Sequence, residues 1–221
     1  MRKNYASKNI IEPVESEEAE PDPIPLDEMW VILQQLKNDN YYPHHYQLIY
    51  FMILTGCRPS SAMVQLWEDI DLKRRIIKIQ NVKTGKRKKK PFYFFPIYSE
   101  LKILLDEMKF KKNVEGRLFH QFKLNELNYT YPLSFWERAI RTLKLGKQIS
   151  GHYTLKQIRS TTASFMVNDL GMDIYAVKKL LDHVDIKITE KHYAKLNLRK
   201  VRDELDDFSI DQFLEGKNEF E

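Results

Sequence analysis

The sequence predicts a mainly helical α+β body with one small antiparallel β-sheet, framed by acidic ends. Apolar residues recur at helical spacing through most of residues 25–205. One region breaks that pattern: RRIIKIQNV and KPFYFFPI are short runs rich in Ile, Val, Phe and Tyr, joined by KTGKRKK. They predict a β-hairpin near 75–97 with Gly85 in its turn. Charge supplies a third observation. Residues 1–30 hold 3 basic and 8 acidic side chains, residues 202–221 hold 2 and 8, and residues 31–201 hold 31 against 15. A middle of net +16 suggests a polyanion-binding body, although a solvated lysine surface gives the same count.

Taken in order, residues 1–24 are acidic and proline-punctuated and read as a tail or linker. Asp27 can cap a helix whose apolar positions are Met29, Ile32, Leu33 and Leu36. Asn38–Tyr42 breaks it, and HHYQLIYFMILTG forms a largely apolar helix ending at Gly56. Pro59 opens the next helix, which puts Arg58 at a helix junction. A third strand at Trp67–Ile70 can join the hairpin. Tyr98–Met108 is an amphipathic helix, 117–131 is irregular, and Ser134–Leu143 is helical around Phe135, Trp136, Ile140 and Leu143. The helix starting near Thr154 carries Lys156 and Arg159 at the edge of a buried stripe of Leu155, Ile158 and Phe165. Gly171 stops it in a left-handed conformation, and Asp173 caps a helix 174–182 that buries Ile174, Val177 and Leu181. His183 follows at that helix's end, then Thr189 caps EKHYAKL with Tyr193 in its first turn. A helix at Leu196–Leu205 precedes a C-terminal tail, 206–221, apolar on one face. There is no internal repeat.

Composition narrows the class. The 12 Phe, 12 Tyr and 3 Trp suffice for a packed core. No apolar run approaches the ~18 residues of a membrane span, and no apolar stretch follows the N-terminal basic residues as a secretory signal requires. The single cysteine, Cys57, rules out an intramolecular disulfide and fits a reducing compartment, so a cytoplasmic protein is expected.

The chemistry concentrates in Thr154–Tyr193. Lys156 and Arg159, spaced i and i+3, repel weakly unless an anion lies between them. Arg offers that anion a bidentate fork. A Lys-x-x-Arg pair also occurs on many solvated helices, and a histidine at a helix end is commonly a cap. Two cations, an imidazole and a phenol are nonetheless what phosphoryl transfer to a tyrosine needs. No dense Asp, Glu or His cluster suggests a metal, and no cofactor is expected.

TLKQIRSTTAS followed by LLDHVDIKITEKHY resembles the C-terminal half of the tyrosine recombinase (phage integrase) catalytic domain, with its H/K-x-x-R, L-x-H and nucleophilic Tyr. LTGCRPSSAMVQLWEDIDL resembles the family's first arginine box, and NVKTGKRKKKPFYFFPI its lysine-bearing hairpin. The likeness covers about residues 24 to 205, so 25–205 would be the catalytic domain with that family's fold. It implies that Tyr193 attacks a DNA phosphodiester to give a 3′-phosphotyrosine and a free 5′-hydroxyl. Arg58 and Arg159 would hold the non-bridging oxygens, and Lys156 would serve chiefly as a phosphate cation. His183 would donate a hydrogen bond to the phosphate. Lys83, with Lys86 as runner-up, would protonate the leaving oxygen. Lys86, Arg87, Lys88, Lys89 and Lys90 would bind DNA. No metal or cofactor is implied.

The chain departs from the family pattern in three places. Lys156 stands where His is usual, as in some archaeal viral integrases and type IB topoisomerases. Ser61 replaces a carboxylate common three residues after the first arginine, so another group must orient Arg58. Ten residues separate His183 from Tyr193, one more than the commonest spacing. The resemblance implies a site-specific recombinase on double-stranded DNA, acting as dimers that pair into a tetramer, with no membrane partner. On this reading the chain is either a fragment or a minimal single-domain enzyme, and segment 208–221 would dock on a neighbouring subunit. The rivals are a type IB topoisomerase, which relaxes supercoils without a specific site, and a DNA-binding protein that does not cleave.

Overall fold

A proline sets the start of the first helix. Pro25 occupies the N-cap of α1 (Leu26–Lys37) without a side-chain capping bond. Asp27 is therefore not the cap but lies within the first turn beside Glu28, where its charge meets the positive end of the helix dipole. Met29, Ile32, Leu33 and Leu36 are buried, as their spacing predicts. The computed structural model describes residues 22–39, 42–82, 92–110, 116–121 and 133–181, and near the C-terminus 202, 205, 206, 209 and 210.

Helix α2 (Pro43–Thr55) is buried from Leu48 through Thr55. A helix apolar on every side must sit in the middle of a core, and α2 packs against α1, α4 and α6. It ends at Gly56, whose φ of 56° is left-handed and whose N–H bonds to the Met52 carbonyl. Helix α3 (Pro59–Met63) begins directly afterwards, with Arg58 in the N-cap position.

The sheet has the order β1 (Ile70–Asp71), β2 (Ile76–Gln80), β3 (Phe92–Pro96), antiparallel throughout. Ile77 pairs with Phe95, and Ile77, Ile79 and Phe95 all face the core. The third strand exists but begins later than Trp67. Trp67–Asp69 form a 3-10 turn because the chain just before the strand pairs elsewhere: Leu66 bridges Arg117, and Trp67 N–H bonds to the Gly116 carbonyl. Gly85 and the rest of the hairpin tip lie outside the described residues.

The remaining helices are α4 (Ser99–Phe110), α5 (Leu133–Leu145), α6 (Leu155–Asn168) and α7 (Ile174–Leu180). Gly171 has φ 65°, and the Asp173 carboxylate accepts the Tyr175 and Ala176 N–H groups, so the tight reversal between α6 and α7 is as predicted. The buried stripe of α7 differs: Val177, Leu180 and Leu181 are covered, whereas Ile174 is 48% exposed. Ile174 is the first residue after the cap and turns outward. No described helix is long and apolar enough to cross a membrane.

The body extends further toward the N-terminus than composition suggests. Ile24 is 2% exposed, its N–H donates to Thr161 Oγ1 at 2.8 Å, and Gln157 Nε2 donates to the Asp22 carbonyl at 3.0 Å. Near the other end Leu205 is fully buried and Ile210 packs against the core. Of the segment expected to dock on a neighbour, only residues 209 and 210 are described.

His45 joins α2 to α5. Its ring stacks on Phe135 at 4.1 Å between centroids and 5° between planes. Burial pushes its pKa down to about 4, aided by His44 and Arg138 and opposed by Asp39. The unfolded chain takes up this proton near the ordinary value of ~6.5. Between the two values the unfolded state binds more protons, so stability falls as pH drops. Replacing His45 with Gln should therefore shrink the stability lost between pH 7 and pH 4.5 by up to roughly 3 kcal/mol. Urea unfolding at both pH values checks this, and an equal loss in variant and wild type would refute the assignment.

Candidate active site

The setting of α6 decides where its cations lie. At its start Gln157 Oε1 accepts the Thr154 N–H at 2.8 Å, holding the first turn closed. The preceding loop is tied to α1 through Glu28, which accepts from Ser150 Oγ at 2.7 Å, Ser150 N–H at 3.1 Å and Tyr153 OH at 2.5 Å. Burial pushes the Glu28 carboxyl up, but these bonds outweigh it and hold the group below its ordinary value. Trp136 Nε1 donates to the Tyr153 carbonyl at 2.8 Å. Farther along, Thr162 Oγ1 donates to the Ile53 carbonyl of α2 at 2.9 Å.

So fixed, α6 turns Leu155, Ile158, Arg159, Thr162 and Phe165 inward. Arg159 is 2% exposed, while Lys156 is exposed. They do not share the edge of the stripe as the i, i+3 spacing suggests. Three residues advance a helix by about 300°, leaving the two side chains about 60° apart around the axis. That suffices to put one inside and one outside.

Arg159 holds two backbones at once. Its Nη1 donates to the Gly56 carbonyl at 3.0 Å and its Nη2 to the Leu181 carbonyl at 2.6 Å. Gly56 is the C-cap of α2 and Leu181 the C-cap of α7. Helix C-termini carry unpaired carbonyls and partial negative charge, and a guanidinium answers both. Gly56 lies two residues before Arg58, and Leu181 two before His183. The three segments also touch: a Cβ on Gly56 would stand 2.6 Å from Leu181 Cδ2 and 3.4 Å from Thr162 Cγ2.

Arg58 is half-buried, and its carbonyl accepts the Ser61 and Ala62 N–H groups at 2.9 and 3.1 Å. Among the described residues none hydrogen-bonds its guanidinium. Ser61 is buried in α3. Cys57 is fully buried, and burial pushes its thiol up to about 11 against the pull of Thr55, Arg159 and Arg58. It fills space as a protonated small residue.

The structure thus brings Arg159 to the junction that carries Arg58 and places Lys156 one turn earlier on the same helix. Lys83, Lys86, Arg87, Lys88, Lys89, Lys90, His183 and Tyr193 lie outside the described residues. No described group of three or more His, Cys, Asp or Glu could hold a metal ion. Sequence reasoning missed Glu28, Ser150, Tyr153 and Thr162. Their partners lie 122, 125 and 109 residues away, beyond any local pattern.

Two substitutions probe the junction. Arg159→Ala strands two buried carbonyls and should cost about 3 kcal/mol. Gly56→Ala meets both the left-handed φ and Leu181 and should cost about 1 kcal/mol or more. Because both act through Leu181, urea unfolding of the double variant should depart from additivity by more than about 0.5 kcal/mol. Strict additivity would show that the contacts are independent.

Comparison with known proteins identifies the family and the fold. The model of the Phage integrase family matches residues 24–199. Tyrosine recombinase XerA of Saccharolobus solfataricus is 30% identical over 158 residues, 71% of this chain and 47% of that protein. A probable integrase/recombinase of Acholeplasma phage L2 is 25% identical over 169 residues, 75% of this chain and 55% of that one. The chain therefore spans about half the length of these relatives. Among solved structures, the Tn1549 transposon integrase in complex with circular intermediate DNA superposes with a TM-score of 0.60 at 17% identity, covering 86% of this chain and 68% of that one. A XerA recombinase structure gives 0.53 at 20% identity, covering 87% and 65%. At such identities the superpositions show the fold: a mainly helical tyrosine recombinase catalytic domain with one small sheet. With the family model matched across nearly the whole described body, the chain belongs to the phage integrase family of tyrosine recombinases.

Proposed function

We propose that residues 25–205 form the catalytic domain of a site-specific DNA recombinase that cleaves and rejoins DNA through a 3′-phosphotyrosine. The observation that carries the reading is the Arg159 bridge, which joins the backbone beside Arg58 to the backbone beside His183. A guanidinium held this way is oriented before DNA arrives, so no reorganisation is needed when charge grows at phosphorus. Because Arg159 is 2% exposed, its charge is poorly screened and acts strongly on a phosphate nearby.

In the proposed reaction the Tyr193 oxygen attacks phosphorus and the bond to the 5′ oxygen breaks. The leaving oxygen takes a proton from Lys83, with Lys86 the alternative donor. Arg58, Lys156 and Arg159 offset the charge on the non-bridging oxygens, and His183 donates a hydrogen bond to them. Tyr is a poor nucleophile at its free pKa of ~10, so the same cations must also favour the phenolate. Attack by a 5′-hydroxyl on the phosphotyrosine reverses the step and reseals DNA. Lys86, Arg87, Lys88, Lys89 and Lys90 would grip the duplex backbone. Double-stranded DNA is the partner, copies of the chain would pair on it as dimers and then a tetramer, and the cytoplasm is the setting.

Incubation with a nicked suicide duplex bearing the element's own end sequence tests the proposal. Wild type should form a covalent adduct, and Tyr193→Phe should form none. Arg58→Ala should slow adduct formation by about 10²–10³. Lys156→His should retain more activity than Lys156→Ala. An adduct with Tyr193→Phe, or none with wild type, would sink the reading.

A further inference from the structure

The stretch that carries Tyr193 runs between two fixed points. Its N-terminal one is Leu181, whose carbonyl Arg159 holds at 2.6 Å. Its C-terminal one is Asp206, next to the fully buried Leu205. Asp206 Oδ1 accepts from the Ser99 N–H at 2.8 Å, from Ser99 Oγ at 2.7 Å and from Arg75 Nη2 at 3.1 Å. Ser99 opens α4, so the carboxylate meets the positive end of that helix. Burial pushes the Asp206 carboxyl up, but the Ser99 bonds and the Arg75 charge outweigh it and hold the group below its ordinary value.

Arg75, which supplies one of these donors, is the last residue of the turn between β1 and β2. Its φ is 55°, an outlier for a bulky residue. Its carbonyl accepts the Ile97 N–H at 2.9 Å, and its Nε donates to the Ile97 carbonyl at 2.9 Å. The residue thus clasps the exit of β3 from both its main chain and its side chain, leaving Nη2 for Asp206. The Arg75 and Asp206 side chains are 29% and 32% exposed, and a pair so near the surface adds little global stability. Three donors from elements 107 and 131 residues away converging on one carboxylate serve placement more than stability.

We propose that Asp206 is a positioning residue for DNA cleavage: with Ser99 and Arg75 it pins the C-terminal end of the segment whose Tyr193 attacks DNA. It acts through that segment and does not touch DNA. This rests on the reading of Tyr193 as nucleophile. A nucleophile tethered at one end only would reach the in-line geometry less often, and misplacement by about 1 Å can cost up to roughly a hundredfold in rate.

The test is single-turnover adduct formation by the full chain on the suicide duplex, with DNA affinity and melting temperature measured in parallel. Asp206→Ala should slow adduct formation roughly ten- to a hundredfold while leaving DNA affinity unchanged, with only the small fall in melting temperature that losing a cap of α4 entails. Asp206→Asn keeps an acceptor for Ser99 and should recover part of the rate. The Ser99→Ala/Asp206→Ala double variant should be no slower than Asp206→Ala alone. Asp206→Ala reacting at the wild-type rate would overturn the anchor while leaving Tyr193 as the nucleophile. Rate and DNA affinity falling together would overturn it too, showing a merely structural role. A wild-type chain that forms no adduct refutes the nucleophile and the anchor with it.

Discussion

One buried cation joins the ends of two helices, and the arrangement of the candidate site depends on it. Arg159 donates to the terminal carbonyls of α2 and α7, which no intrahelical partner can satisfy. An isolated buried charge is costly to keep. Here each carbonyl lies at the negative end of a helix dipole, so the desolvation cost is offset where the acceptors are strongest. The contact fixes two helix ends relative to each other, one two residues before Arg58 and one two residues before His183 in the sequence. It does so from a helix held by bonds at three places along its length: Thr154 with Gln157, Ile24 with Thr161, and Ile53 with Thr162.

This bridge needs a small residue and a rigid neighbour, and α2 supplies both. Because α2 is buried along most of its length, its C-terminus cannot drift relative to α1, α4 and α6. Gly56 lets the chain turn left-handed there and lets Leu181 approach closer than any side chain would allow. Tyr98 OH, donating to the Leu54 carbonyl at 2.9 Å, pins the same end from the sheet side. The junction is thus stiff because the core is stiff.

Much of this was legible in the sequence. Gly56, Pro59, Gly171 and Asp173 were readable because a left-handed turn, a helix start and an N-cap each select residue types locally. The apolar spacing of α1 and the richness of the two hairpin strands in Ile, Val, Phe and Tyr were readable for the same reason. Three features were not. Asp27 satisfies the composition of a cap, yet Pro25 starts the helix two residues earlier. Trp67–Ile70 has strand residues and a third strand does form, but only from Ile70, because Leu66 and Trp67 bond to the distant 116–117 segment. The Glu28 cluster joins segments more than a hundred residues apart, and nothing local records it. Local chemistry was visible and non-local pairing was not.

The same distinction explains why Lys156 can occupy a histidine's usual place without disturbing the site. Position 156 lies about 60° around the helix from position 159, enough to face solvent. A residue there bears no part of the Arg159 bridge, so under the proposed function its requirement is chemical: a cation or donor within reach of a phosphate. Lysine meets it as a flexible, hydrated charge, without histidine's ability to exchange a proton near neutral pH. Position 159 is constrained differently. Two carbonyls from two helices must be met by one planar group, and lysine's single ammonium on a flexible stem lacks the fork to hold both in fixed orientation. The outer cation can thus vary with the chemistry, while the inner one is fixed by the fold before any DNA is bound.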